Sequence, residues 1–308
     1  MTPLSTPETL PIDPRHVALQ FSRRGNLADA QFLYGEVARR MDERLRLVRL
    51  DPKVILDAGC GAGQQMPLLR ARYPDARCIG QDHNAALIKH ARKLLQAGWR
   101  DWMARVSGDA TRPTWLESDL ARTGLAPESV DLVWSNLALH WHPAPHDVLQ
   151  EWGRVLRLNG LVFFSCFGPG TMQQLRAALT QAGLRTATPS FVDMHDFGDL
   201  LIEKGFADPV MDQEVLTLTY ETADKLLQDV RALGGNPALG RRGGLVGRSW
   251  RKRLVDALEA QRQPDGKLHL TIEVAYGHSW RTGTLRANPN ETRVSVSAIQ
   301  RKSPRAAP

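Results

Sequence analysis

The sequence predicts an α/β fold, a doubly wound and mostly parallel sheet of seven strands with a helical insertion before the last strand. Three observations predict it. Short apolar strands alternate with amphipathic helices from Lys53 to Tyr276, the first strand runs into a glycine-rich loop at 57–63, and acids recur at strand ends. Alternation of this kind marks a parallel sheet covered by helices on both faces.

Taken in order, the first fourteen residues carry Pro3, Pro7, Pro11 and Pro14 without a signal-type apolar run, so 1–14 is expected to be disordered. One domain is expected over 15–280. Leu33, Val37, Met41, Leu45 and Val48 recur at helical spacing, which predicts a helix from Ala28 to Leu50. Lys53–Leu56 reads as the first strand, followed by a helix to Tyr73 and a second strand over Ala76–Gly80. The next helix shows Leu87, Ile88, Ala91, Leu94 and Leu95 on one face and stops at Gly98. A third strand is expected just before Asp109. Val130–Ser135 and Leu161–Phe167 are further strands, with a helix over Val148–Leu156 between them. A helix over Thr171–Gln181, a strand within Val210–Tyr220 and a late strand over His269–Tyr276 complete the pattern. The helical stretch 222–263 is an insertion between the last two strands, expected to serve as a lid or substrate region. The basic segment 281–308 is expected to be a mobile tail.

The loop Asp57-Ala58-Gly59-Cys60-Gly61-Ala62-Gly63 brings backbone close to a ligand at a helix N-terminus, which is why Gly59, Gly61 and Gly63 stand there. Its spacing is G-x-G-x-G and not the G-x-G-x-x-G of dinucleotide sites, because Gln64 takes the next place. A carboxylate at Asp57 would repel a pyrophosphate but suits a ligand carrying an ammonium and a sulfonium. Asp82, nineteen residues beyond Gly63, is placed to accept hydrogen bonds from ribose hydroxyls. Asp109, in Gly108-Asp109-Ala110, is placed at a third strand end where a carboxylate can take an adenine amino group.

These residues resemble the signature of class I methyltransferases, a Rossmann-like family that uses S-adenosylmethionine. The resemblance implies a cofactor-binding set of Asp57, Gly59, Gly61, Gly63, Asp82, Asp109, Ala110 and Asn136. A finer resemblance lies in Asp131-Leu132-Val133-Trp134-Ser135-Asn136-Leu137-Ala138-Leu139-His140-Trp141, Phe167-Gly168-Pro169-Gly170-Thr171, Phe191-Val192-Asp193-Met194-His195-Asp196 and Tyr276-Gly277-His278. Together these are similar to the malonyl-acyl-carrier-protein O-methyltransferases of biotin synthesis. That resemblance implies methyl transfer to the free carboxyl of a malonyl thioester, with an acyl-carrier protein or coenzyme A as its carrier. The family's tyrosine beside the Ser-Arg run is missing from Phe21-Ser22-Arg23-Arg24-Gly25-Asn26-Leu27. That departure brings the chain nearer a second group of similar C-terminal half, the mitochondrial complex I assembly factors, one of which hydroxylates a protein arginine. A protein-modifying enzyme, a small-molecule methyltransferase and a fold-retaining binding protein are the alternatives. The three intact acids argue against the last.

A malonyl carboxylate is ionised at neutral pH, so the chemistry needs positioning and no general base. His140 and Trp141 are the candidate catalytic residues, acting by positioning near the transferred methyl, with Trp141 as a wall of the site. His140, His142 and His146 cluster, but Pro143 and Pro145 between them suit exposed loop histidines, and no metal is expected. Asp193 or Asp196 is expected to cap a helix start near His195. The acceptor carboxylate calls for a cation, and Arg241, Arg242 and Arg248 are the candidates. Arg251 and Lys252 extend them into a basic stripe on a helix whose Trp250, Leu254 and Leu258 face the body, a surface suited to an acidic carrier protein.

The fourth strand lacks the Pro-Pro-aromatic turn of base amino-methylating enzymes and ends without a nucleophilic cysteine, so nucleic acid is not the expected partner. No apolar run reaches the ~18 residues of a membrane span. Cys60, Cys78 and Cys166 are odd in number and form no C-x-x-C pair, which fits a reducing cytoplasm. The net charge of +7 fits an acidic partner.

Overall fold

The computed structural model describes residues 9–94, 112–244 and 246–283. Its centre is a seven-stranded sheet. In chain order the strands are β1 (Val54–Ala58), β2 (Arg77–Asp82), β3 (Thr114–Glu117), β4 (Val130–Asn136), β5 (Leu156–Phe167), β6 (Phe206–Tyr220) and β7 (Leu268–Arg281). Their order across the sheet is β3-β2-β1-β4-β5-β7-β6, parallel except that β7 runs antiparallel between β5 and β6. The reversal between β1–β2 on one side and β4 on the other opens a crevice at the strand C-termini, where open α/β sheets bind ligands.

The inner strands are apolar on both faces because helices cover both. Trp134, Phe163, Phe164 and Phe167 are fully buried. Helices α1 (Pro14–Ser22), α2 (Gln31–Leu45), α3 (Met66–Arg72), α4 (Ala85–Leu94), α5 (Pro145–Val155), α6 (Gln173–Gln181) and α7 (Met194–Glu203) precede β6. Helices α8 (Ala223–Ala232) and α9 (Arg248–Glu259) lie between β6 and β7, as the helical reading of 222–263 requires.

Several elements depart from the sequence reading. The expected Ala28–Leu50 helix opens as a 3₁₀ turn over Ala28–Ala30 and ends at Leu45. Residues 10–14 are not a frayed start. Leu10 and Ile12 are buried, the Leu10 amide donates to Pro143 O and the Asp13 amide to Pro237 O. Asp13 then caps α1, accepting from the amides of Arg15 and His16, and Pro14 occupies the first turn, where a missing N–H costs nothing. Strand β7 extends to Arg281, which pairs with Glu128, so the expected tail is strand at its first residue. Asp193 caps α7 by accepting from the His195 amide, the capping role foreseen for it.

The third strand is the largest correction. The only strand paired to the outer side of β2 among the described residues is β3, and it follows Asp109 instead of preceding it. Asp109 and Ala110 lie outside the described residues. The acid just past the third strand is Asp119.

Candidate active site

A cavity of about 340 Å³ occupies the crevice. The loop after β1 forms its floor, the ends of β2 and β4 and the segment after β3 form its sides, and α1 and α2 roof it. Asp57, Gly59, Gly61, Asp82 and Asn136 all line it, and so does Asp119. Among the described residues, none of those lining it is a lysine or arginine.

The loop is held by backbone. The amides of Gly59 and Cys60 both donate to Gln81 O, which locks the loop onto the end of β2. Gly59 has φ +75°, and a side chain there would also overlap the Ala138 methyl. Gly63, with φ +79°, does not reach the cavity. It lets the loop pack on Trp115, whose ring lies 2.7 Å from where a Cβ would stand. Its part is therefore in shaping the loop.

Asp82 closes the floor. One carboxylate oxygen accepts from the Gly61 amide at 3.0 Å and the other from the Asn84 amide at 2.9 Å. Each oxygen keeps a lone pair for a ligand hydroxyl. Asp57 is 1% exposed and its Oδ2 has no hydrogen-bond partner. Burial, with the charge of Asp82 added to it, pushes the Asp57 carboxyl up to about 7. Burial likewise raises Asp82, against the pull of His83 and the two amides. Two buried acids beside a cavity whose described lining holds no lysine or arginine form a site for a cationic ligand.

At the other end, Asp119 pairs with His142, Nε2 to Oδ1 at 3.2 Å, and His142 holds the carboxyl below the ordinary carboxylate range. Asn136 fixes the end of β4, donating to Tyr34 O at 2.9 Å and accepting from the Ser165 hydroxyl at 3.0 Å. Trp141 is a cavity wall. It meets Phe21 edge-on at 5.7 Å, and Gly234, at the end of α8, leaves the room its indole fills. The Tyr34 hydroxyl donates to Leu233 O, tying the roof to that same corner.

His140, the other catalytic candidate, does not reach the cavity. It is 1% exposed, absent from the cavity lining, and packed among Trp141, Phe167 and Phe191. Its Nδ1 accepts from the Phe167 amide at 3.3 Å, and burial drives the ring down to about 3, so it is neutral and structural. The three histidines do not converge, for His142 faces Asp119 while His146 faces Glu203 at 3.8 Å.

The five basic candidates also lie away from the cavity lining. Arg241 is committed to Asp13 at 3.2 Å, and the Arg242 amide donates to the Thr186 hydroxyl. Arg248, Arg251 and Lys252 are exposed on α9, while Leu254 and Leu258 are buried and Trp250 packs against the core. Arg251 pairs with Asp224 and Lys252 with Asp256, so the stripe is partly neutralised by acids outside its own run.

A crevice site of this shape on this sheet defines an S-adenosylmethionine-dependent methyltransferase of class I, and a methyltransferase-domain family model matches residues 56–164. The YcgJ protein of Bacillus subtilis has the same fold, with TM-score 0.54 at 13% identity over 81% of this chain and 100% of that one. A phosphoethanolamine N-methyltransferase of Haemonchus contortus, solved with S-adenosylhomocysteine, gives TM-score 0.52 at 13% identity over 84% of this chain and 58% of its own. The chain belongs to the family of malonyl-[acyl-carrier protein] O-methyltransferases. It is 41% identical over 273 residues to the member from Laribacter hongkongensis, covering 87% of this chain and 90% of that protein. The member from Halorhodospira halophila is 36% identical over 297 residues, 94% of this chain and 97% of its own.

The sequence alone does not single out Asp119, the pairing of His142 with it, or the roof helix α1. Asp119 stands between Ser118 and Leu120 without a motif, whereas Gly108-Asp109-Ala110 resembles one. The Asp13-Pro14 helix start was readable, since an aspartate cap followed by proline is a helix-start pattern.

Proposed function

We propose that the chain transfers a methyl group from S-adenosylmethionine to the free carboxyl of a malonyl group on acyl-carrier protein, or on coenzyme A, early in biotin synthesis. The observation that carries this reading is identity of 41% to a relative of that name across nine-tenths of its length. The pathway and a cytoplasmic setting are part of the same proposal. Among the described residues no helix is long and apolar enough to cross a membrane.

The residues present fit the cofactor: Asp57 Oδ2 is unpartnered in a cavity lined by three acids and, among the described residues, by no lysine or arginine. When bound, S-adenosylmethionine supplies an electrophilic methyl on a sulfonium. Asp57 is positioned to neutralise the ammonium end, and Asp82 to accept from the ribose hydroxyls. Asp119, steadied by His142, is positioned for the adenine amino group, the part assigned to Asp109 on sequence grounds. Phe21, Leu137 and Trp141 form an apolar wall that keeps water from the reacting oxygen. The acceptor carboxylate is already a nucleophile, so the protein's contribution is to hold it in line and dry. The basic face of α9 is proposed as the landing surface for the acidic carrier.

The test is incubation of the purified chain with labelled cofactor and malonyl-carrier protein, read by intact mass. A gain of about 14 mass units on the malonyl form and none on the acetyl form is expected, because only the former has a free carboxyl to accept the methyl. A gain on a protein side chain instead would overturn the reading.

A further inference from the structure

Among the described residues the cavity lining has no lysine or arginine, yet an arginine without a counter-charge stands against its wall. Arg24, just beyond α1, lays its guanidinium carbon 4.8 Å from the centre of the Phe21 ring, and that ring lines the cavity. Its terminal nitrogens Nη1 and Nη2 are both buried, and neither has a hydrogen-bond partner. Burial lowers the guanidinium's affinity for its proton, and no carboxylate opposes it; the neighbouring ionisable group is Tyr34, itself part of the cavity wall and held neutral by its own burial. The surroundings are cationic as well. His16 on α1 is held down by burial and by the charges of Arg241, Arg23 and Arg24, with Asp13 opposing, and Asp13 is already taken by Arg241. On its other side Arg24 faces Gly235, where a Cβ would lie 3.6 Å from Nη2 and equally far from the Gln20 amide oxygen, so no charged group borders the fork there.

A buried guanidinium with two empty donors is costly to keep unless something pairs with it. Planar, forked donors match a carboxylate. We propose that Arg24 is the carboxylate-binding residue of this site. Two carboxylates enter the cavity, the free carboxyl of the acceptor and the methionine carboxyl of the cofactor. The acceptor arm rests on the functional reading given above; the cofactor arm does not.

The experiment compares wild type with Arg24→Met, which keeps the stem and removes the fork, and Arg24→Lys, which keeps the charge. Three readouts are taken: KM and kcat for a small malonyl thioester, affinity for S-adenosylhomocysteine, and affinity for 5′-methylthioadenosine, which lacks the amino-acid end. Arg24→Met is expected to melt at the wild-type temperature or above it, since it removes an unpaired buried charge. Its KM for the malonyl thioester rises roughly ten- to a hundred-fold if the acceptor is the ligand. Affinity for S-adenosylhomocysteine falls by a similar factor, with methylthioadenosine unchanged, if the cofactor is. Arg24→Lys recovers part of the loss. Unchanged values in all three readouts would overturn the assignment, as would a lowered melting temperature with equal loss of both nucleosides. A wild-type enzyme that leaves malonyl thioesters untouched would overturn the functional reading instead, and the two nucleoside affinities would then decide Arg24.

Discussion

Asp57 and Asp82 sit side by side beneath the glycine loop, and the charge of Asp82 adds to burial in raising Asp57 to about 7. A cationic ligand reverses that balance, because it favours the ionised form. Affinity for S-adenosylmethionine is therefore expected to rise with pH up to about 7 and to level off above it, with a proton released on binding below that pH. Calorimetry in two buffers of different ionisation enthalpy measures the released proton. Asp57→Asn should abolish both the release and the slope.

Removing Asp82 takes away the acceptor of the Gly61 and Asn84 amides as well as the proposed ribose contact. Asp82→Ala is expected to weaken S-adenosylhomocysteine by about 1.5–3 kcal/mol, roughly ten- to a hundred-fold. Unaltered affinity by calorimetry would remove Asp82 from the site.

The reassignment from Asp109 to Asp119 is open to a direct comparison. Asp119→Ala is expected to cost about 1 kcal/mol in affinity for S-adenosylhomocysteine, and Asp109→Ala to cost nothing. His142→Ala should share part of the Asp119 loss, since it frees the carboxylate it now steadies.

His140 makes a stability prediction. Burial holds its ring down to about 3 in the folded protein, well below the ordinary histidine value of about 6.5. A depressed histidine gives stability that is complete above its unfolded pKa and is lost as pH falls, because the unfolded chain takes up the proton first. The full loss, from above about pH 6.5 to below about pH 3, is on the order of 5 kcal/mol. His140→Gln should flatten the fall of melting temperature over that range, while KM for the cofactor stays near wild type.

Reversing the α9 stripe tests the landing surface. With Arg248 and Arg251 both changed to glutamate, KM for malonyl-carrier protein is expected to rise several-fold, and a small malonyl thioester should be turned over as before. The difference should shrink in high salt, since exposed charges are screened beyond about 10 Å at 0.1 M ionic strength. Equal loss on both acceptors would place those arginines in a different role.

The glycine loop and its first two acids were legible because their spacing is dictated by backbone: a loop that turns under a ligand needs glycine where φ is positive, and Asp57 and Asp82 stand at fixed distances from it. The sheet's alternation was legible for the same local reason. Asp119 was not, because β3 is a four-residue edge strand, partly exposed, without an apolar pattern of its own. Only pairing with β2 reveals where it ends. Nor could the sequence distinguish His140 from a wall residue, since neighbours such as Phe191 reach it from far along the chain. Arg24 looked like one basic residue among many; its lack of a partner is a property of the packed molecule alone.

The cavity roof has a consequence for how the molecule comes into being. The N-terminal segment is fastened through Asp13 to Pro237 O and Arg241, and through Pro11 O to the Leu239 amide. β7, which joins β6 to the rest of the sheet, is later still. A chain emerging from the ribosome has its glycine loop early but cannot close α1 over it until residues some 220 positions downstream have been made, as the Asp13–Arg241 separation of 228 shows. The glycine loop of a nascent chain thus stays unroofed until the segment around Arg241 has been made, because the contacts that fasten α1 come from there.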